Sequence, residues 1–169
     1  LQKTAKEHYV DNKKFYESIM EHRKKVAEAE KKGTEPPRMS EYIGECILKI
    51  AQRLTYHRYY INYSEHYKEE MISDGIENCI QYFDRFNPEK SKNPFAYFTQ
   101  IIWFAFRRRI MKEQKLRYTM YKNAEKFMTE NGDGELIQMP MYDNIQDFIA
   151  SYEEREQEKK DKKKNANKS

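Results

Sequence analysis

Glycine and proline are scarce in this chain of 169 residues, five of each, which leaves few sites for tight hairpin turns and favours helices. Only two cysteines occur, Cys46 and Cys79, with no C-x-x-C pairing. They read as reduced structural thiols of a cytosolic protein, not as a disulfide framework or a thiolate metal site. The four histidines, His8, His22, His57 and His66, lack the spacing of metal ligands, so neither metal nor cofactor is expected. No run of about 18 apolar residues is present, which excludes a helical membrane span, and no signal peptide is visible. There is no G-x-S-x-G and no glycine-rich phosphate loop. Carboxylates are plentiful, but Glu69, Glu70, Asp74 and Glu77 recur at helix-surface spacing beside solvent-type residues, unlike the converging ligands of a two-metal nuclease. A binding protein is expected, not an enzyme.

What the chain does have is charge and rings. Hydrophobic residues make up 38% and charged residues 36%, so the core is modest. Fourteen tyrosines and nine phenylalanines mean that much of the burial comes from aromatic side chains. The net charge of +4 says little about partners, but its distribution says more. Glu65, Glu69, Glu70, Asp74 and Glu77 oppose Lys68 alone; shortly after, Arg107, Arg108, Arg109, Lys112, Lys115 and Arg117 oppose Glu113 alone. Adjacent segments of opposite sign point to two partners, one basic and one acidic.

Helical periodicity organises most of the chain. Asp11 or Asn12 is placed to cap a first helix with an apolar stripe of Phe15, Ile19, Val26 and Ala29, ended by Gly33 and Pro36-Pro37. Ser40 caps a second, in which Ile43, Ile47, Ile50 and Leu54 recur at helical spacing. Residues 55–67 carry five tyrosines beside His57, Arg58 and His66 and read as a ring-lined loop. Its tyrosines suit either stacking on bases or sugars, or packing onto the bundle with their hydroxyls in water. Ser64 caps a third helix whose expected inner stripe is Met71, Ile72, Ile76, Cys79, Ile80 and Phe83. Beyond Arg117, Leu116, Met120, Ala124, Phe127 and Met128 predict a further helix, and Asn131-Gly-Asp-Gly134 a break. A short strand at Leu136 and Ile137 is an option. Asp143-x-x-Gln146 resembles a capping box ahead of Ile145, Phe148, Ile149 and Tyr152. The end, rich in lysine and without apolar residues, predicts disorder.

Residues 93–117 are the centre of this pattern. Asn93-Pro94 reads as a helix start, with asparagine as cap and proline at the first helical position. Phe98, Ile102, Ala105 and Phe106 share one stripe, continued by Arg109 and Ile110. Tyr97, Gln100, Ile101, Phe104, Arg107 and Arg108 fall on another face, where rings, an amide and guanidinium groups suit unpaired bases and phosphates. The plainer reading is a central bundle helix buried on both sides.

In order along the chain stand EEMISDGIE, then IQYFDRFNPEKSKNPFAYFTQ, then Ala105, Phe106, Arg109, Ile110, Lys112 and Glu113 in the pattern AFxxRIxKE. This series resembles region 2 of the primary bacterial sigma family, and more closely the late-transcription sigma factors of T-even-type bacteriophages. ILKIAQRL (47–54) and DNIQDFIASYEE (143–154) extend the likeness over residues 11–154, with 68–113 the specific part.

The resemblance implies an all-α fold: an orthogonal helical bundle of the sigma region 2 type over 11–117, a C-terminal helical arm over 118–154 with a linker at 131–142, and a disordered charged tail over 155–169. It implies a sigma factor that binds the host core RNA polymerase at the clamp coiled coil of its largest subunit. Such a factor directs the enzyme to A/T-rich, −10-type late viral promoters and assists melting, in the cytoplasm of the infected bacterium. Carried over residue by residue, polymerase contacts fall on Glu70, Ser73, Asp74, Ile76 and Ile80. Promoter-melting contacts fall on Tyr97, Thr99, Gln100, Ile101, Phe104 and Arg107, and the basic run Arg108, Lys112, Lys115 and Arg117 adds DNA phosphate contacts. Two departures stand out. The tryptophan pair of cellular members is replaced by Gln100 and Ile101, the one tryptophan being Trp103, and no helix-turn-helix segment for a −35 element follows Arg117. A phage coactivator and the sliding clamp join the expected partners, although the acidic-hydrophobic tail by which the phage relatives bind the clamp is not seen after Glu154. The rival readings are a helical adaptor or anti-sigma-like protein that binds polymerase without touching DNA, and a general RNA-binding helical protein.

Overall fold

The computed structural model describes residues 9–131 and 140–166. They form an all-α helical bundle: α1 (Asn12–Lys32), α2 (Glu41–Leu54), α3 (Glu65–Gln81), a single 3-10 turn (Phe83–Arg85), α4 (Pro94–Asn131) and α5 (Pro140–Ala166). The chain divides into two compact units, Leu1–Arg109 and Ile110–Ser169, with α4 beginning in the first and ending in the second. No helix among the described residues is long and apolar enough to cross a membrane.

In the first unit the helix boundaries follow from local chemistry. Asp11 accepts from the backbone N–H of Lys13 and Lys14, and Gly33 ends α1 in the left-handed conformation at φ 66°. Ser40 and Ser64 cap α2 and α3 through their hydroxyl oxygens. Asn93 accepts from Ala96 N–H at 3.0 Å, and Asn12 of α1 accepts from Phe95 N–H at 3.0 Å. Two of the donors orphaned at the start of α4 are thereby satisfied, one of them by another helix. Arg23 on α1 donates to the carbonyls of Phe86 (2.6 Å) and Asp84 (3.0 Å), fastening the α3–α4 connector.

The core is built of rings. Phe98 is fully buried and meets Phe15 at 5.5 Å, Phe83 at 5.9 Å, Phe86 at 6.4 Å and Tyr97 at 5.1 Å between centroids. Ile102, Ala105 and Phe106 continue the buried stripe of α4 as its periodicity requires. Both cysteines are buried and free. Of the expected inner stripe Met71, Cys79 and Phe83 are buried, but Ile72 and Ile76 are only half-buried and Ile80 is exposed; on α3 the buried line is Lys68, Met71, Gly75 and Cys79. The reason is Gly75: a Cβ there would lie 3.1 Å from Ile102 Cγ2 and 3.2 Å from Phe106 Cε1, so the missing side chain lets α3 turn this line toward α4. Ile80 is left 59% exposed.

In the second unit the distal half of α4 and α5 run antiparallel. Tyr118 stacks on Tyr152 at 4.5 Å, Tyr121 meets Phe148 at 5.3 Å, and Ile145 and Ile149 are buried. The helix expected beyond Arg117 is thus the continuation of α4, because neither proline nor glycine interrupts residues 95–131. α5 starts at Pro140, three residues before the expected cap; Gln146 donates to Glu125 at 2.9 Å instead of closing a capping box. Residues 155–166, expected to be disordered, are helical and carry i,i+3 and i,i+4 pairs such as Glu156–Lys159 and Glu158–Lys162. Of the linker expected at 131–142, residues 132–139, with the possible strand at Leu136 and Ile137, lie outside the described residues, as does the tail end at 167–169. Asn131 and residues 140–142 are helical.

Two stability predictions follow from this packing. Gly75→Val should lower unfolding stability by roughly 2–3 kcal/mol in a denaturant titration, since overpacking outweighs the gain in helix propensity; an unchanged midpoint would mean that α3 and α4 do not touch there. Tyr60 is 2% exposed and its hydroxyl has no hydrogen-bond partner among the described residues. Burial pushes its pKa from 10.0 to about 12. The unfolded chain loses this proton first, so Tyr60's contribution is intact below pH 10 and is lost as pH rises toward about 12. Tyr60→Phe should flatten that alkaline decline in part, leaving the share of the other raised groups, Tyr42, Cys79 and Tyr97 among them, and should be neutral or stabilising at pH 7.

Candidate protein and nucleic-acid interfaces

α3 and α4 each present a surface from the first unit. On the outer side of α3, Ser73, Ile76, Glu77, Ile80 and Gln81 line a shallow open depression. Ile76 is half-buried, Ile80 is exposed, and Ser73 donates to the Glu69 carbonyl one turn back. Three of the five residues expected to meet a polymerase, Ser73, Ile76 and Ile80, therefore lie together, with Glu77 supplying the charge.

Glu70 and Asp74 do something else. Arg109 of α4 donates to Asp74 at 2.7 Å and to Glu70, so both carboxylates serve as an internal clasp between the helices. The paired carboxylates, Asp74 foremost, raise the guanidinium's pKa further above its ordinary value. Arg109 also lies over the Tyr67 ring at 5.7 Å. Its neighbour Arg108 donates to the Asn78 side chain on α3 at 2.6 Å, and Asn78 in turn donates to the Asp74 carbonyl. The sequence places Arg109 in the basic run and on the apolar stripe of α4 but assigns it no partner. The signal was there: one cation inside an otherwise apolar stripe needs an acidic partner, and an i,i+4 carboxylate pair stands on the preceding helix.

On α4, Gln100, Phe104 and Arg107 lie together at the surface, with Arg108 beside them. Phe104 is 47% exposed, and Arg107 makes no ion pair among the described residues. Tyr97 and Ile101 are half-buried on the same side. Tyr97, expected as a stacking ring, packs on Phe86 and Phe98 and donates its hydroxyl to the Tyr82 carbonyl at 2.9 Å. Burial raises its pKa. It belongs to the edge of the core, and Phe104 is the ring this face offers. Thr99 sits about 200° round the helix from Tyr97, is half-buried, and back-bonds to the Phe95 carbonyl at 2.7 Å. In the second unit Lys112 and Lys115 are exposed, whereas Arg117 pairs with Glu113 at 3.4 Å and lies over the Phe148 ring.

The side of α4 toward the 55–63 turn carries Trp103. It meets His57 at 5.4 Å, Tyr59 at 5.8 Å and Tyr60 at 5.2 Å. Both readings of the tyrosine-rich segment have a share: Tyr60 is packed against Phe106 and Trp103, while Tyr56 and Tyr59 are 65% and 57% exposed. No protein-family model and no curated protein matches the chain.

The clasp makes a measurable distinction between neighbouring arginines. Arg109→Ala should cost about 1–2 kcal/mol of unfolding stability, the part-exposed pair being partly screened. Arg107→Ala, one helical position from Arg108 and without an ion pair, should stay within about 0.5 kcal/mol of the parent. Equal losses for the two in parallel thermal melts would mean that Arg109 clasps nothing.

Proposed function

We propose that the protein is a phage-type sigma factor that binds host core RNA polymerase and directs it to A/T-rich, −10-type late viral promoters, assisting their melting. The single observation that carries the reading is the exposed Gln100–Phe104–Arg107 face on α4, one helix away from the Ile76–Ile80 depression on α3. An adaptor that binds polymerase alone has no use for an exposed ring beside an unpaired arginine. In this reading α3 docks through Ser73, Ile76, Glu77 and Ile80: apolar contact from the two isoleucines, charge from the carboxylate toward a basic coiled coil. Glu70 and Asp74 contribute by orienting α3 through Arg109. On α4, Phe104 offers its face to an unpaired base, Gln100 its amide, and Arg107 and Arg108 their charge to phosphates. Lys112 and Lys115 add exposed cations in the second unit. A/T-rich steps suit a face that carries Gln100 and Ile101 in place of the tryptophan pair of cellular sigma factors, because such steps unstack more easily.

Run-off transcription with reconstituted holoenzyme tests both faces. Ile80→Glu should weaken binding to core polymerase by on the order of 2 kcal/mol or more while leaving the thermal melt unchanged, the residue being exposed. Phe104→Ala should reduce open-complex formation on duplex promoters roughly tenfold, retain core binding, and recover on a pre-melted bubble template. If Phe104→Ala behaves as the parent on duplex DNA while Ile80→Glu abolishes core binding, the adaptor reading replaces this one.

A further inference from the structure

The α4 face does not end at Arg107. Arg107 lies close enough to Tyr60 for its charge to act on that hydroxyl, and Tyr60 touches Trp103. Past Trp103 the surface continues over His57 and Tyr59, where Arg58 lies above the Tyr59 ring at 4.9 Å and donates to its hydroxyl at 3.0 Å. Beyond His57 it opens into a cavity of about 330 Å³ bounded by Tyr9, Arg53, Tyr56, His57 and Thr99. That volume is at the lower end for sites that hold a small planar molecule. Among the described residues no carboxylate lines it. Glu65 and Glu69 line an adjoining depression with Lys49 and Lys68 that shares Tyr9, Arg53 and Tyr56 with it.

Rings at an opening, Arg53 in its wall, Arg58 over the neighbouring Tyr59 and a pocket of this size form the arrangement that recognises single-stranded nucleic acid. A rigid duplex cannot place one base into such a slot without flipping it out, whereas an unpaired strand can. We propose that this cavity is a second single-strand DNA subsite, in which one unpaired base enters against Tyr56 and His57 while Arg53 and Arg58 hold the flanking phosphates. The strand that leaves Phe104 reaches it past Arg107 and the Trp103 cluster. Thr99, which has no place on the Phe104 face, lines this cavity instead. The subsite rests on the reading of the protein as a factor that opens promoter DNA, since that is what brings an unpaired strand to it.

Trp103, the single tryptophan of the chain, is a built-in reporter, sharing His57 with the cavity. The full-length protein is titrated with single-stranded oligo-dT and with an abasic oligomer of equal length and charge, following tryptophan emission. Oligo-dT should quench Trp103 and bind more tightly than the abasic strand. Tyr56→Ala should weaken oligo-dT binding roughly tenfold, the loss of one stacked base, without changing the affinity for the abasic oligomer. Because Tyr56 is exposed, its thermal melt should not move. Oligo-dT carrying 5-iodouracil should photocrosslink to the 53–59 peptide. Equal affinity for the two oligomers, or an unchanged affinity in Tyr56→Ala, overturns the subsite. So does a Tyr56→Ala variant that keeps oligo-dT binding yet loses core polymerase, which would assign the cavity to a protein contact. The two readings fail separately. Loss of duplex opening in Phe104→Ala with unaltered oligo-dT binding in Tyr56→Ala removes the subsite and leaves the promoter face. The reverse pair of results removes the promoter face and leaves the cavity as a single-strand site.

Discussion

The close approach of α3 to α4 at Gly75 decides most of what the first unit shows to its surroundings. With no Cβ at that position, Ile102 and Phe106 press against the α3 backbone, and the line Met71–Gly75–Cys79 becomes the inward stripe. A helix turns only once every 3.6 residues, so setting one line inward sets every other. Ile76 and Ile80 are carried to the rim, and Glu70 and Asp74 to the side where Arg109 meets them. The Arg109 clasp then closes the same interface from its polar edge. Apolar contact at Gly75 and charge-assisted hydrogen bonds at Arg109 act on one geometry, and each supports the other.

The same geometry explains why α4 serves two purposes. Its buried stripe holds a ring cluster centred on Phe98, which fixes the connector through Phe83 and Phe86 and fixes α1 through Phe15. The opposite line is left to solvent. Tyr97 stands between the two: its ring is half-buried and its hydroxyl holds the carbonyl that ends α3. Phe104, two turns on, has no such duty and stays exposed at the surface. Arg23 on α1, bonded to carbonyls of the connector, holds that arrangement from the other side.

Much of this was legible in the amino-acid order. The caps at Asp11, Ser40, Ser64 and Asn93, the stop at Gly33 and the apolar stripe of α4 are local properties: a short polar side chain beside a helix start, a glycine at a left-handed position, a repeat near 3.6. So was the α5 stripe of Ile145, Phe148, Ile149 and Tyr152, which pairs with the tyrosines of α4 in the second unit. The absence of a proline or glycine within 95–131 also carries the news that α4 does not stop at Arg117.

What the sequence by itself determined, then, is the all-helical class, the helix starts and the alternation of charge between α3 and α4. Each follows from neighbours within about one helical turn, where spacing alone sets which side chains meet. Only the tertiary structure decided which acids are bound into the fold: Glu70 and Asp74, by Arg109. Glu70 and Asp74 look like Glu69 and Glu77 in any reading of α3 alone; they differ because Arg109, 35 and 39 residues away along the chain, reaches them. Tyr97 and Phe104 likewise share a helical face, but the carbonyl of Tyr82 and the ring of Phe86 draw the first inward. Burial is a property of what lies opposite, and what lies opposite is set by the packing of whole helices, not by the residues beside it in the chain.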